Sequence, residues 1–277
     1  MSIADFHSHT NHSDGVLSPS GLINLAKENK VKYLAITDHD TVDGIQEAKK
    51  ITINQTSIKI ISGIELSVDL LNEDIHILGI GIDESNQQLI TELRKLKEAR
   101  ESRAKQIIEK LYSQGIKIEI QKIKENIGKA TIGRPHIAQE MINKKYVNTV
   151  QEAFDNYLSK PYIRDIKRHK LSSRKALEMI KQAGGYSFLA HPTYIKQFCE
   201  IIQILAQEGL FGIEAYYKNY DTKTVNKMLD IAKKYKLYPI GGSDYHGIHG
   251  NKEKLPGQIP LPDEIAMKLV KKHLKLK

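Results

Sequence analysis

The sequence predicts an α/β protein rich in parallel strands, interrupted once by a helical stretch. Two observations carry this. Short apolar runs alternate with helical patterns over most of the chain, which is the signature of strands joined by helices. Between residues 85 and 165 the alternation stops and only helical periodicity remains, which reads as an insertion into a domain formed by residues 1–84 and 166–277.

The strands expected from apolar runs lie at residues 3–6, 33–37, 58–62, 75–82, 186–190, 211–215 and 238–240. Ser18 followed by Pro19 opens the first helix, as N-cap and first helical residue. Ser172 and Ser173 open another, which runs to the glycine stop at Gly184 and Gly185. Residues 195–207 and 222–235 carry apolar side chains three and four apart. In the helical stretch, Leu89, Leu93, Leu96, Ile107, Ile108 and Leu111 share a long helix, followed by helices at 135–143 and 149–158. The tail, 265–277, alternates Leu or Val with Lys. It reads as a helix docking its apolar face on the main domain rather than one lying on a membrane.

The chain has 277 residues, 40% of them hydrophobic and 27% charged, as in an ordinary soluble protein large enough for a substantial core. No apolar run approaches the roughly 18 residues of a membrane span. The N-terminus lacks the pattern of a secretory signal, so a cytoplasmic location is expected. Cys199 is the only cysteine, which excludes an internal disulfide and a thiolate metal cage. Net charge is +9. Residues 85–165 hold sixteen Lys and Arg against ten Asp and Glu, so two-thirds of that surplus sits in the insertion, suggesting a cap that faces an anion.

The residues just past the expected strands carry the chemistry. Behind the first strand come His7, His9 and Asp14; behind the second, Asp38, His39 and Asp40; behind the third, Glu65; behind the fifth, His191; behind the last, Asp244 and His246. His76 falls near the start of its strand, so that strand is expected to run against the others. In a parallel barrel such strand ends converge on one rim. That many imidazoles and carboxylates in one small volume could not be desolvated without compensating cations. Nitrogen and oxygen ligands of this kind suit zinc, manganese and iron. Six of the 11 histidines belong to the pattern, which argues against scattered structural histidines.

The motifs "DFHSHTNHSDG", "AITDHDT", "SGIELS", "DIHILG", "LAHP" and "GGSDYHG", in this order, resemble those of the polymerase-and-histidinol-phosphatase (PHP) family over nearly the whole chain. The resemblance implies a distorted (β/α)7 barrel and two or three divalent metal ions. One ion would take His7, His9, Glu65 and Asp244. A second would share Glu65 and take His76 and His191. A third would take Asp14, His39 and His246. "GRPHIA", at 133–138 in the helical insertion, is similar to the branch acting on nucleoside 3′,5′-bisphosphates or the 5′ ends of short RNA. By that likeness Arg134 would contact the substrate phosphate, a role suited to its planar fork. His136 would be a substrate contact or a leaving-group partner. Arg100, Arg103 and Lys160 are weaker candidates of the same kind.

His12 is expected to be an exposed loop histidine. Asp38 and Asp40 are expected to orient ligands or cap a helix. Glu214 ends a strand without an assignable role, and His169, His249 and His273 read as structural or solvated. The expected function is hydrolysis of nucleotide phosphate esters by metal-activated water, with no stable protein partner and no membrane. The alternatives are a histidinol-phosphate-type phosphatase on the same barrel and a non-catalytic nucleic-acid-binding module.

Overall fold

The computed structural model describes residues 1–53, 57–128, 130–163, 166, 171–248 and 253–274. Its strands are β1 (Ala4–Asp5), β2 (Tyr33–Ile36), β3 (Lys59–Leu70), β4 (Glu73–Ile80), β5 (Leu171–Ser172), β6 (Tyr186–Leu189), β7 (Gly212–Tyr217) and β8 (Tyr238–Gly242). Its α-helices are α1 (Pro19–Glu28), α2 (Asp43–Thr52), α3 (Gln87–Ser113), α4 (Ile120–Ile127), α5 (Arg134–Asn143), α6 (Val150–Ala153), α7 (Lys160–Ile163), α8 (Ser173–Gln182), α9 (Phe198–Gln207), α10 (Thr222–Tyr235) and α11 (Asp263–Lys268).

The sheet runs β1-β2-β3-β4-β6-β7-β8, with β5 pairing β3 off this path. All pairings are parallel except those of β4, which is antiparallel to both β3 and β6. The reversal expected from the position of His76 is therefore present. The first and last strands meet: Phe6 N–H donates to the Gly241 carbonyl, and Asp244 N–H to that of His7. The buried Asp5 carboxylate fastens the seam by accepting N–H groups of His7, Ser243 and Gly257. Burial pushes the Asp5 pKa up, and these donors oppose that. The result is a nearly closed barrel of mostly parallel strands with helices around it.

Local sequence explains most boundaries. Ser18 accepts from Gly21 N–H ahead of Pro19, and Ser172 from Lys175 N–H. Asp221 caps α10, which spans the expected residues and ends at Lys236 in the left-handed region, φ 56°. Two expectations are corrected. β3 runs on to Leu70 because its second half forms a hairpin with β4, paired from Gly63–Ile80 to Leu70–Glu73. Leu71 and Asn72 make the turn, both with positive φ, as a two-residue hairpin loop requires. α9 begins at Phe198, not 195, because Pro192–Tyr194 form a separate 3-10 turn.

The buried apolar residues form two clusters. The larger fills and surrounds the barrel, from Phe6, Leu34, Ile64 and Phe188 out to Leu89, Leu93 and Leu96 of α3. The smaller lies within the helical stretch, with Ala104, Ile107 and Leu111 of α3, Ile137 and Met141 of α5, and Leu158. α3 thus belongs to both. The C-terminal helix docks as expected, with Ala266, Leu269 and Val270 fully buried against the barrel. No described helix is long and apolar enough to cross a membrane.

Candidate metal centre

Strand geometry aims the ligands. His7 and His9 are two residues apart on an extended segment and so share a face, while Ser8 between them turns away to donate to the Ala35 carbonyl. Glu65 and Ser67 share a face of β3. His76 is the register partner of Ser67, which brings it to the same face despite the reversed strand. His39 forms a parallel bridge with Glu65 beyond the end of β2.

Glu65 is the hub, and it is only 1% exposed. Its Oε2 lies 3.2 Å from His7 Nε2, 3.1 Å from His9 Nε2 and 3.2 Å from His39 Nδ1. Its Oε1 lies 2.8 Å from His76 Nδ1 and 3.1 Å from His191 Nε2. Asp244 Oδ1 is 3.2 Å from both His7 Nε2 and His9 Nε2. Asp14 is 3.3 Å from His246 Nε2, and 3.8 Å from both His9 and His39. All nine side chains singled out by sequence therefore meet at one rim.

Their donor atoms group into three sets, each within 4.8 Å: His7, His9, Glu65 and Asp244; His9, Asp14, His39 and His246; His39, Glu65 and His76. The first matches the set implied by the family resemblance. The second adds His9 to the implied third set. The third holds His39 where the resemblance placed His191, which instead contacts the same Glu65 oxygen as His76.

Protein contacts alone leave this cluster unsatisfied. His7 Nε2, both His9 ring nitrogens, Asp14 Oδ1, His39 Nδ1 and Glu65 Oε2 are buried without a hydrogen-bond partner among the described residues. Buried polar atoms are normally bonded, so inward-facing lone pairs of this chemistry fit divalent cations. The charges are strongly coupled. Burial opposes charge on Glu65, Asp14, Asp244, His7, His9, His39 and His246. The surrounding imidazoles nonetheless hold Glu65, Asp14 and Asp244 well below the usual carboxylate range. Against the same burial, Asp244 and Glu65 push His9 up to about 10 and, with Glu214, lift His7 as well. At His39 burial wins, and its pKa falls to about 3.

A surrounding layer fixes the ligands. Glu214, fully buried, faces His7 Nδ1 at 3.1 Å and accepts the His191 backbone N–H at 2.7 Å. Asp244 Oδ2 accepts from Tyr217 O–H at 2.6 Å and faces Lys218 Nζ at 3.0 Å, which leaves Oδ1 for the cluster. Asp38 gathers Thr10 N–H, Thr10 O–H and Ser13 O–H, shaping the loop that carries His9 and Asp14. Asp40 accepts from Ser67 N–H and pairs with Arg100. Neither aspartate caps α2, whose N-cap is Val42. Asp40, His191 and Asp244 all have positive φ, a conformation that side chains rarely adopt. Sequence reasoning gave Glu214 no role and passed over Tyr217 and Lys218; Glu214 lies inside β7, while Tyr217 and Lys218 stand at and just past its end, the available signal.

A cleft opens beside the cluster, lined by Asp14, His39 and His76 on the barrel side and by Arg100, Arg103 and Arg134 on the helical side. Arg134 stacks over Phe154, 5.3 Å from its centroid, and donates to the Leu158 carbonyl. Burial lowers its pKa, opposed by Asp74 and assisted by Arg100. His136 Nδ1 accepts Gly133 N–H at 3.0 Å, which occupies that nitrogen. His12 pairs with Glu47 at 3.2 Å, away from the cluster. His273 packs its ring against Tyr186, Phe211 and Tyr238. The Lys160 side chain, His169 and His249 lie outside the described residues.

The family profile described as PHP domain matches residues 5–238. This chain belongs to the PHP domain family. Asp244 and His246 fall just beyond the matched segment, yet both meet the cluster. The PHP chain is similar to a 5′-3′ exoribonuclease of Haemophilus influenzae, 32% identical over 247 residues, 87% of this chain and 89% of that protein. It is also similar to a 3′,5′-nucleoside bisphosphate phosphatase of Chromobacterium violaceum, 29% identical over 251 residues, 89% of this chain and 88% of that protein. Among solved structures, a protein described as a metal-dependent phosphoesterase from Bifidobacterium adolescentis superposes with a TM-score of 0.86. It is 27% identical, over 96% of this chain and 95% of that one.

Proposed function

We propose that this PHP domain is a metal-dependent phosphohydrolase acting on nucleoside 3′,5′-bisphosphates or on the 5′ ends of short RNA. The observation that carries the reading is the Glu65 carboxylate, with five imidazole nitrogens within 3.2 Å, beside a cleft bearing three arginines. The relatives named for nucleotide and RNA hydrolysis support the substrate class.

The nine cluster residues would hold two or three divalent ions, manganese, zinc or iron. His7, His9, Glu65 and Asp244 form one set, and Asp14, His39 and His246 the core of another. Bound there, such ions lower the pKa of water and neutralise phosphoryl charge. The chain's own residues do the rest. Glu65 and Asp244 keep the donor sets close together. His39, held neutral by burial, offers a lone pair rather than a proton. Glu214 orients His7 and His191. Arg134, from the helical segment 85–165 acting as a substrate cap, binds phosphoryl oxygens and favours anionic substrates. His136, bonded to Gly133 beside it, sets the start of the helix that presents Arg134.

The test is product release by the metal-loaded protein from 5′-phosphorylated RNA, adenosine 3′,5′-bisphosphate and histidinol phosphate, with elemental analysis of the same sample. Turnover of a nucleotide substrate that is abolished by chelation and restored by manganese is expected. Preference for histidinol phosphate, or full turnover without metal, would overturn the reading.

A further inference from the structure

On the aromatic side of the rim, Tyr194 has no part in the chemistry above. Tyr194 is 63% exposed. Of the exposed large apolar side chains among the described residues, it alone has a ring contact with a cluster histidine, at 5.7 Å from the His191 centroid. Its other neighbour is Tyr217, edge to face at 5.9 Å and 85°. Tyr217 in turn holds Asp244.

The ring stands on a pinned backbone. Tyr194 N–H donates to the His191 carbonyl at 3.2 Å, and Thr193 N–H to the Tyr220 hydroxyl oxygen at 3.3 Å. Ile195, the next residue, is buried. A surface tyrosine on a mobile loop would lose entropy on binding; this one is already ordered, so a flat partner gains contact at little further cost.

Its position restricts the partner. His191 Nε2 lies 3.1 Å from Glu65, so one imidazole separates the tyrosine from the hub of the cluster. The His191 and His76 rings are 5.1 Å apart, and His76 lines the arginine cleft. A ligand with a phosphate over the cluster and further phosphate in the cleft would reach Tyr194 with whatever lies one unit along the chain. In a nucleic acid that unit carries a planar base.

We propose that Tyr194 is a stacking platform for a nucleobase adjoining the scissile phosphate, with Tyr217 and Tyr220 as its supports. The proposal rests on the nucleotide reading above and adds a base-recognition subsite to it. Stacking of this kind tolerates any base, because every base presents a π face.

The test uses the manganese-loaded protein and a 5′-phosphorylated dinucleotide with a non-hydrolysable methylene phosphonate linkage and 2-aminopurine as its second base. A matching probe lacks that base. Stacking on Tyr194 should quench the fluorophore. Tyr194→Ala should abolish the quench and weaken binding about tenfold, whereas Tyr194→Phe and Tyr194→Trp should stay within about twofold of the parent. The baseless probe should bind the parent and Tyr194→Ala equally. Equal affinity of the parent and Tyr194→Ala for the fluorescent probe would overturn the platform while leaving the nucleotide reading standing. So would equal losses on both probes. Failure of the parent to bind either probe would remove the nucleotide reading and the platform with it.

Discussion

Glu214 offers a direct way to test how the cluster is held. Its carboxylate faces His7 Nδ1 at 3.1 Å and accepts the His191 N–H at 2.7 Å. The first contact places the His7 proton on Nδ1 and leaves the Nε2 lone pair toward Glu65 and Asp244. Glu214→Gln keeps the shape but turns one acceptor into an NH2 donor. If the amide oxygen stays on the His191 N–H, the NH2 faces His7 Nδ1. The ring must then carry its proton on Nε2, aimed at the ligand set. If the amide flips, the His191 N–H faces another donor. Either outcome disturbs a ligand. Loss of such an orienting partner lowers metal affinity by about 10- to 100-fold, equivalent to about 1.4–2.7 kcal/mol. The assay is competition with a chromogenic chelator across free manganese concentrations, with activity measured at saturating metal. Affinity within about threefold of the parent, below the range for orienting partners, would refute the tautomer argument.

Three further outcomes are expected. Arg134→Ala should lower kcat/KM on a nucleotide substrate by about 10²- to 10³-fold, as for other single electrostatic contacts to a transition state, while bound metal measured by elemental analysis stays constant. His136 has its pKa lowered below 6.5, chiefly by burial and despite Asp14. Its contribution to stability is therefore complete above that value and declines as pH falls and Nδ1 gains a proton that displaces the Gly133 N–H. Thermal melts between pH 7 and 5 should show a shallower loss in His136→Asn than in the parent. Gly242→Ala would place a Cβ 2.4 Å from His7 Cβ and 2.5 Å from His7 N. Since backbone cannot yield as a side-chain tip does, a loss of about 1–3 kcal/mol is expected in denaturant titration, accompanied by weaker metal binding.

The elements legible in the sequence were those with a local signal. "YLAI" and "YSFL" announced buried strands, and apolar residues three and four apart marked α10 over its full length. The expected end of β3 fell short. After Ser62 the chain reads "GIELSVDL", whose alternating Ile64, Leu66, Val68 and Leu70 continue the strand pattern, and pairing with β4 and β5 keeps it extended. β5 is two residues long and owes its existence to β3. The cluster was legible because His7, His39, Glu65, His191 and Asp244 share one topological position, which periodicity exposes without any distance. What periodicity could not supply was which oxygen faces which nitrogen. Glu214 lies inside β7, and it faces the opposite nitrogen of His7 from Glu65. That distinction exists only in three dimensions.

The length of α3 has a mechanical consequence. At its start, Asn86 bonds to the Gln182 carbonyl at the base of the barrel. Fourteen residues on, Arg100 grips Asp40 and Ser67 at the metal rim. The remaining turns rise into the second apolar cluster. A 27-residue rod of about 40 Å therefore threads both bodies without a joint. Swinging the upper body away from the rim would mean snapping that rod or tearing Arg100 from its seat. Under the proposed function a ligand would then enter sideways, along the arginine-lined gap, and shortening α3 by one turn between Asn86 and Arg100 should draw the upper cluster about 5.4 Å toward the barrel with little rotation.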